Sequence, residues 1–224
     1  MTAARLYMHE FIHIVGAGAR AYMEHTREWA ARRTGGNRLV GTWATVGATG
    51  RWPECVNLWE LTLDDWLATL DHAYVNRQSD VALEEWWKRA LEYRSGGEDR
   101  MLVPAPWSPP LDDLLARRVR GVLFVQEVSR VRAGAAGDYL AAMEATWLPL
   151  ARRIGLESVG AYEGLTTDTE TLTVWAVPDL AAYRRYLEAR LGDPTVAAWR
   201  RRAREWVTCW RETLMHPGAG TSLA

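Results

Sequence analysis

The sequence of 224 residues repeats one pattern at a separation of about 117 positions. Segment 6–15 (LYMHEFIHIV) is matched by segment 122–131 (VLFVQEVSRV), and the order of aromatic and apolar residues is kept through both halves. Such self-similarity constrains the fold more than any local signal, because each half must form the same unit. The sequence therefore predicts an ancient tandem duplication. Its matched pairs include Glu10 with Glu127, Tyr22 with Tyr139, Trp43 with Tyr162, Trp59 with Trp175 and Trp86 with Trp199.

Each half predicts the same order of elements. Strands at 6–15 and 122–131 precede helices at 17–33 and 136–153, and Pro149 should kink or shorten the second helix. Two strands, a divided helical stretch and a last strand then follow in each half. This is the split βαββαβ, or ferredoxin-like, arrangement. The predicted bounds of the later strands are 38–47, 54–62 and 99–103 in the first half and 157–164, 170–177 and 210–216 in the second.

A proline-rich segment separates the halves. PAPWSPP (104–110) carries four prolines in seven residues, which cannot form regular structure. We therefore divide the chain into a first ferredoxin-like unit at 1–104, a Pro-rich linker at 105–119 and a second ferredoxin-like unit at 120–224. The predicted fold class is α+β.

The composition excludes several classes of protein. Lys and Arg together number 27 against 28 Asp and Glu, so the net charge of −1 provides no basic surface for nucleic acid. No apolar run reaches the ~20 residues of a membrane span, and the first residues lack an apolar signal core, which predicts a cytoplasmic protein. Cys55 and Cys209 are isolated and are predicted to be reduced packing residues. The preference for arginine over lysine is typical of a high-GC bacterial, for example actinobacterial, genome.

Two motifs imitate ligand sites but lack what those sites require. GAGARA (16–21) follows a strand like a dinucleotide-binding loop, yet no acidic residue ends the next strand, so an ordinary strand-to-helix turn is favoured. His9 and His13 share one face of a strand but lie about 13 Å apart, too far to share a metal ion. We predict no cofactor and no metal. A metal site assembled by folding is left open for His9, Glu10, His72 and His216.

Short motifs on the strands carry a family resemblance. VGTW (40–43) and VGAY (159–162) lie on the second strand of each unit, and a Leu-Trp or Val-Trp pair lies on the third. Over about 5–104 and 120–217 the chain resembles the NIPSNAP-like branch of the dimeric α+β barrel superfamily. The resemblance implies that the two fused units pair sheet against sheet, as an intrachain pseudo-dimeric α+β barrel. That superfamily includes cofactor-independent monooxygenases of antibiotic pathways, polyketide cyclases, lactone isomerases and haem proteins.

Glu10 and Glu127 occupy equivalent places on the first strand of each unit. A carboxylate with apolar neighbours on both sides must be paired or have a raised pKa. A carboxyl group with a raised pKa suits a general base that removes a proton next to a carbonyl. Two interpretations stay open: a catalytic base, or a structural glutamate bonded to an arginine such as Arg130.

The differences between the halves favour the first unit as the location of a pocket. It contains four of the five histidines, and imidazole is the side chain that moves protons near neutral pH. His25 and the RRRARE segment (200–205) are expected to be solvated. The predicted catalytic residues are His9, His13, Glu10 and His72, and the predicted substrate-binding residues are Phe11, Trp43, Asn57, Trp59 and Trp66.

The first functional hypothesis is a small-molecule enzyme of bacterial secondary metabolism. It would be a cofactor-independent cyclase, isomerase or monooxygenase that acts on a hydrophobic aromatic or polyketide-like substrate by proton abstraction. The second hypothesis is a haem-binding protein with a histidine axial ligand, and the third is a non-catalytic binding protein. We expect a hydrophobic small molecule as partner, no nucleic acid and no membrane, with a homodimer left open.

Overall fold

The two halves of the sequence fold alike in the structure, a computed structural model that describes residues 4–32, 36–76 and 79–224. The first half forms β1 (Arg5–Ile14), α1 (Ala19–Arg32), β2 (Arg38–Thr45), β3 (Glu54–Thr62), α2 (Leu63–Leu70), α3 (Val81–Ala90) and β4 (Arg94–Pro104). After a short helix, α4 (Leu111–Ala116), the second half forms β5 (Leu123–Val131), α5 (Ala136–Ala142), α6 (Leu148–Arg153), β6 (Glu157–Gly164), β7 (Glu170–Val177), α7 (Leu180–Gly192), α8 (Pro194–Ala203) and β8 (Val207–Pro217). Residue 33 of the predicted first helix lies outside the described residues.

The strands form one closed barrel in the order β1-β3-β2-β8-β5-β7-β6-β4. Two seams join the units: β2 pairs with β8, and β4 pairs with β6. The two seams are equivalent. Ala44 in β2 and Glu163 in β6 match in the repeat, and each faces the last strand of the other unit, at His216 in β8 and at Val103 in β4. Each edge strand is thus paired with the other unit, and the closed sheet leaves no open edge. The predicted fold class, tandem ferredoxin-like units in a pseudo-dimeric α+β barrel, is confirmed.

The irregular places of the barrel are duplicated as well. A shift in strand register occurs just before Gly41 in β2 and again just before Gly160 in β6. A Cβ atom at Gly41 would lie 2.2 Å from the ring of Trp43, and one at Gly160 would lie 1.9 Å from the hydroxyl of Tyr162. Only glycine leaves room for the aromatic side chain two positions later. This close approach explains why both units carry the motif V-G-x-[WY].

The linker closes one end of the barrel. The segment predicted as structureless contains α4, whose Leu111 and Leu114 are buried in the barrel core. The backbone N–H of Leu111 donates to Glu60 Oε2 at 2.8 Å, and the hydroxyl of Tyr7 donates to the same oxygen at 2.6 Å. The linker is therefore part of the packed structure, whereas the division at 104 and 120 into separate domains stays a prediction.

The helices pack unequally on the outer face of the barrel. In the second unit, α7 and α8 each bury three residues against the sheet and its helices. In the first unit, α2 and the turn of π-helix at Asp71–Val75 bury none of their residues, and α3 buries Ala90 alone. The first unit thus carries the looser helical layer. As predicted, the helix that contains Pro149 is shortened. A turn of π-helix at Met143–Trp147 separates α5 from α6, in which Pro149 lies.

Candidate functional site

Three of the four predicted catalytic residues lie on β1, on its two faces. Neighbouring side chains of a strand point to opposite faces, so His9 and His13 face the barrel interior together with Phe11, whereas Glu10 lies beneath the helices. Trp66 lies in α2, and His72 lies in the turn of π-helix that follows. The structure therefore divides the predicted residues between a helix-facing site and the barrel.

The helix-facing site is built around Glu10. Trp59 Nε1 donates to Glu10 Oε2 at 2.7 Å, and Asn57 Nδ2 donates to the same oxygen at 3.0 Å. Asn57 Nδ2 also lies 2.9 Å from the hydroxyl of Tyr22, which α1 contributes. Three of the predicted residues thus meet in one cluster. Tyr22 was not among the predicted site residues, although its match with Tyr139 in the repeat was a signal that could have identified it.

The environment of Glu10 favours its protonated form. Burial raises the pKa of Glu10, and the hydrogen bonds from Trp59 and Asn57 oppose that rise in part. Asp99 faces Glu10 across β1 and β4, and its pKa is also raised by burial. The negative charge of Asp99 raises the pKa of Glu10 further, while Arg94 acts in the opposite direction. A carboxyl group held in this way can accept and return a proton closer to neutral pH than an exposed glutamate.

The second unit neutralises the equivalent carboxylate. Arg200 Nη1 donates to Glu127 Oε2 at 2.8 Å, and Ser129 Oγ and the hydroxyl of Tyr139 donate to Oε1 at 3.0 and 3.2 Å. The interpretation of a structural glutamate bonded to an arginine holds for Glu127, but the partner is Arg200 and not Arg130, whose side chain lies on the barrel-facing side of β5 together with Val128. The expectation of a solvated RRRARE face is likewise wrong for the ion-paired side chain of Arg200.

The first unit has no arginine at the place of Arg200. At the offset of 113 that relates the late helices, the matching residue is Trp87. The ring of Trp87 packs against the guanidinium of Arg94 at 4.8 Å from the ring centroid. Glu10 is consequently held by the neutral donors Trp59 and Asn57, whereas Glu127 is held in an ion pair. This substitution is the clearest chemical difference between the two copies.

The barrel interior brings the other predicted residues into a packed core. His9 Nε2 lies 2.8 Å from Gln126 Oε1, so two residues at equivalent positions of the repeat meet inside the barrel. Both are fully buried, and burial lowers the pKa of His9 to about 3. A histidine with this pKa stays neutral and is a weak base. Trp43 packs on Phe124, with 5.1 Å between ring centroids, as part of the core.

Two other expectations, for His25 and for Cys209, are not met. His25 is buried rather than solvated, because its ring stacks on Trp86 at 5.3 Å and its Nε2 lies 3.2 Å from the Trp86 carbonyl oxygen. Cys55 is a buried free thiol as expected, but Cys209 is an exposed free thiol and not a packing residue. His13 lies at the barrel end, with its Nε2 3.6 Å from Glu54 Oε1.

The described part of the chain contains no group of three or more His, Cys, Asp or Glu side chains arranged to hold a metal ion. Within 4–32, 36–76 and 79–224, no helix combines the length and the hydrophobicity that a membrane crossing requires.

The closed strand order and the duplicated seams define the class of protein: this is a dimeric α+β barrel fold with both units in one chain. No protein-family model matches the sequence, and no curated protein matches it significantly. Solved structures do resemble it. An anthrone oxidase-like protein superimposes with a TM-score of 0.66 at 12% identity, covering 100% of this chain and 97% of that one.

Two further structures extend the comparison. A candidate monooxygenase from Lactobacillus acidophilus NCFM has a TM-score of 0.62 at 9% identity, covering 95% of this chain and 93% of its own. A chlorite dismutase variant from Candidatus Nitrospira defluvii has a TM-score of 0.50 at 10% identity, covering 97% and 93%. At these identities the similarity establishes the fold, and the chemistry has to be argued from the side chains.

Proposed function

We propose that the chain is an enzyme that removes a proton from an acidic C–H or phenol of a hydrophobic aromatic small molecule, with Glu10 as the general base. The observation that carries the proposal is the contrast between Glu10 and Glu127. Both stand at the same position of the repeat, yet only Glu127 is ion-paired to an arginine. A carboxyl group that has no ion pair and is partly buried is poised for proton transfer.

The proposed chemistry uses the groups around Glu10. Glu10 takes the proton, and the electron pair of the broken bond stays on the substrate as an enolate or phenolate. Because Trp59 and Asn57 donate to Oε2, the other carboxylate oxygen is the one that receives the proton. Asn57 Oδ1 is buried with no hydrogen-bond partner among the described residues, so it can accept a hydrogen bond from a substrate hydroxyl.

The loose helical layer of the first unit supplies the access that such a substrate needs. Helix α1, which contributes Tyr22 to the site, buries four residues, but α2 and α3 of the same unit bury only Ala90 and leave Leu67, Val81 and Trp87 exposed. The matching layer of the second unit is filled by residues such as Trp147 and Trp199. A flat apolar substrate therefore fits better between sheet and helices in the first unit.

The same base serves two reaction classes. If proton removal is followed by reprotonation or ring closure, the enzyme is an isomerase or cyclase. If the anion reacts with O₂, a methylene carbon becomes a carbonyl, and the second oxygen atom leaves as water. The anthrone oxidase-like fold relative makes anthrone a suitable test compound, because its methylene lies between two rings and opposite a ketone. The NIPSNAP-like affiliation and a role in antibiotic pathways stay predictions.

The buried histidines do not fit the haem hypothesis. That hypothesis needs a histidine nitrogen directed at the iron as axial ligand. Of the two buried histidines, His9 is bonded to Gln126 inside the filled barrel, and His25 Nε2 lies against the carbonyl of Trp86. The helical layer of the second unit is closed by packed aromatic rings. We therefore propose no haem chemistry for this chain.

The test separates proton removal from oxidation. Anthrone in deuterated buffer without oxygen should exchange its methylene protons faster in the presence of the protein, as followed by NMR. Glu10→Gln should abolish that acceleration. The matched control is Glu127→Gln, which changes the same residue type at the same position of the other unit and should keep the acceleration per folded molecule.

Oxygen uptake by the same mixture then assigns the class. Uptake that depends on Glu10 identifies an oxygenase, whereas exchange without uptake identifies a cyclase or isomerase. Equal exchange with wild type and Glu10→Gln, across anthrone and related phenols, would overturn the proposal.

A further inference from the structure

The open end of the barrel holds a concave site that is separate from the cluster around Glu10. A cavity of about 290 Å³ lies where β1 and β5 end, opposite the end that the linker closes. It lies on the interior face of the sheet and therefore on the other side of β1 from Glu10. We call it the barrel mouth. Its lining residues are Phe11, Arg51, Glu54, Glu98, Arg100, Val128, Arg130, Glu170, Cys209 and Arg211.

The carboxylates of the barrel mouth already have cationic partners. Arg100 Nε lies 2.6 Å from Glu170 Oε1, and Arg100 Nη2 lies 2.9 Å from Glu98 Oε2. Arg51 Nε lies 3.3 Å from Glu54 Oε1. Each of the three glutamates that line the mouth thus has an arginine partner, and two of the four arginines supply these contacts.

The other two arginines of the mouth have no carboxylate partner. Neither Arg130 nor Arg211 forms an ion pair with a residue of the described chain, and Arg211 is placed by its contact with the ring of Phe11, 5.3 Å from the ring centroid. Arg100 lies at 5.2 Å from the centroid of the same ring. The mouth therefore carries surplus positive charge beside an apolar floor. Guanidinium groups bind carboxylates strongly because their paired N–H groups match the two oxygens.

An unpartnered polar atom beside the mouth is a second observation that supports a ligand there. Arg100 Nη1 is buried and has no hydrogen-bond partner among the described residues. One step deeper along β1 and β5, His9 Nδ1 and Gln126 Nε2 are also unpartnered, and both side chains are fully buried. Buried polar atoms of this kind are normally hydrogen-bonded. Acceptor atoms of a bound molecule would complete the hydrogen bonding of Arg100.

From these observations we infer that the barrel mouth binds a small organic anion, a carboxylate on a flat apolar body. The carboxylate pairs with Arg211 and Arg130, and the flat body lies against Phe11 and Val128. The inference is independent of the proposed reaction at Glu10, since the two sites use opposite faces of the sheet. Benzoate is the simplest molecule with the required charge and shape.

Cys209 provides a direct reporter. It is exposed and lines the mouth, whereas Cys55 is buried, so a neutral disulfide reagent should modify Cys209 first in the folded protein. Bound benzoate should slow that modification, and calorimetry should give the affinity. Benzyl alcohol, which has the same ring without the charge, should give little protection.

Variants locate the effect. Arg211→Ala and Arg130→Ala should each weaken benzoate binding about tenfold, the loss expected for one charge-assisted contact. Arg117→Ala, at an exposed arginine after α4 near the closed end, should leave the affinity unchanged. Glu10→Gln should also leave it unchanged, so that failure here is distinguishable from failure of the proposed reaction. Equal binding of benzoate and sulfate would overturn the flat-body inference, and unaltered Cys209 modification with benzoate would overturn the site.

Discussion

The same substitution at equivalent positions of the repeat should have different effects on stability. Glu127→Gln breaks the ion pair with Arg200, whose side chain is 21% exposed while that of Glu127 is 9% exposed. Breaking a buried pair costs about 3–5 kcal/mol. Arg200 keeps Glu212 at 3.6 Å, and the amide retains acceptor and donor atoms, so we expect about 2 kcal/mol. For a chain of this length that corresponds to a fall in Tm of about 4–8 °C.

Glu10→Gln should instead be neutral or stabilising at neutral pH. The pKa of Glu10 in the folded chain lies above its ordinary value of 4.5. The folded chain therefore binds the proton more tightly than the unfolded chain, and wild-type stability falls as pH rises from the unfolded pKa through the folded one. The glutamine variant has no proton to lose. Its Tm relative to wild type should rise across that window and level off above it.

Thermal unfolding of the three proteins, followed by circular dichroism over a series of pH values, measures both effects. A Glu10→Gln variant that loses as much stability at neutral pH as Glu127→Gln would refute the reasoning. Glu10 would then be a structural, paired carboxylate like its counterpart, and the basis for its proposed role as a base would be removed.

Two further predictions concern the barrel. Gln126→Leu leaves a polar atom of His9 buried without a partner and should cost about 1–3 kcal/mol in the free energy of unfolding. The double variant that exchanges the two residues, His9→Gln with Gln126→His, should recover much of that loss. Equal losses for the single and the double variant in denaturant melts would contradict the contact across the barrel. Leu114→Ala removes a buried side chain of the closing helix and should cost about 2–5 kcal/mol. The more exposed Leu115→Ala is its control, and equal Tm values for both variants would show that the linker does not close the core.

The duplication made most of the fold predictable. Because each half had to form the same kind of unit, weak strand signals in one half could be checked against the other. The strands predicted at 38–47 and 54–62 are found at Arg38–Thr45 and Glu54–Thr62. The helix α4 was missed because a run of prolines carries no sign that the following Leu111 is anchored by Glu60, a residue 51 positions earlier.

The site was predictable only in part. Periodicity along β1 separated Glu10 from His9, but it could not show which face of the strand would line the barrel, since both faces carry apolar neighbours. The partner of Glu127 was missed for a similar reason. Arg200 follows Trp199 on α8, and the sequence interpreted it as part of a solvated arginine run. Only the packing of α8 on the sheet brings its guanidinium to the carboxylate of Glu127.

The two units differ in how many residues their helices bury against the sheet. A unit whose helices bury many apolar residues resists local opening, whereas one whose helices bury few opens at a lower free energy. The second unit combines its packed helices with the Glu127–Arg200 ion pair, and both features stabilise the packing of helices on the sheet. The first unit carries a partly buried carboxyl at Glu10 that has no arginine partner, and its helices α2 and α3 bury only Ala90. Since both units share one closed barrel, the stability of the second copy supports the first.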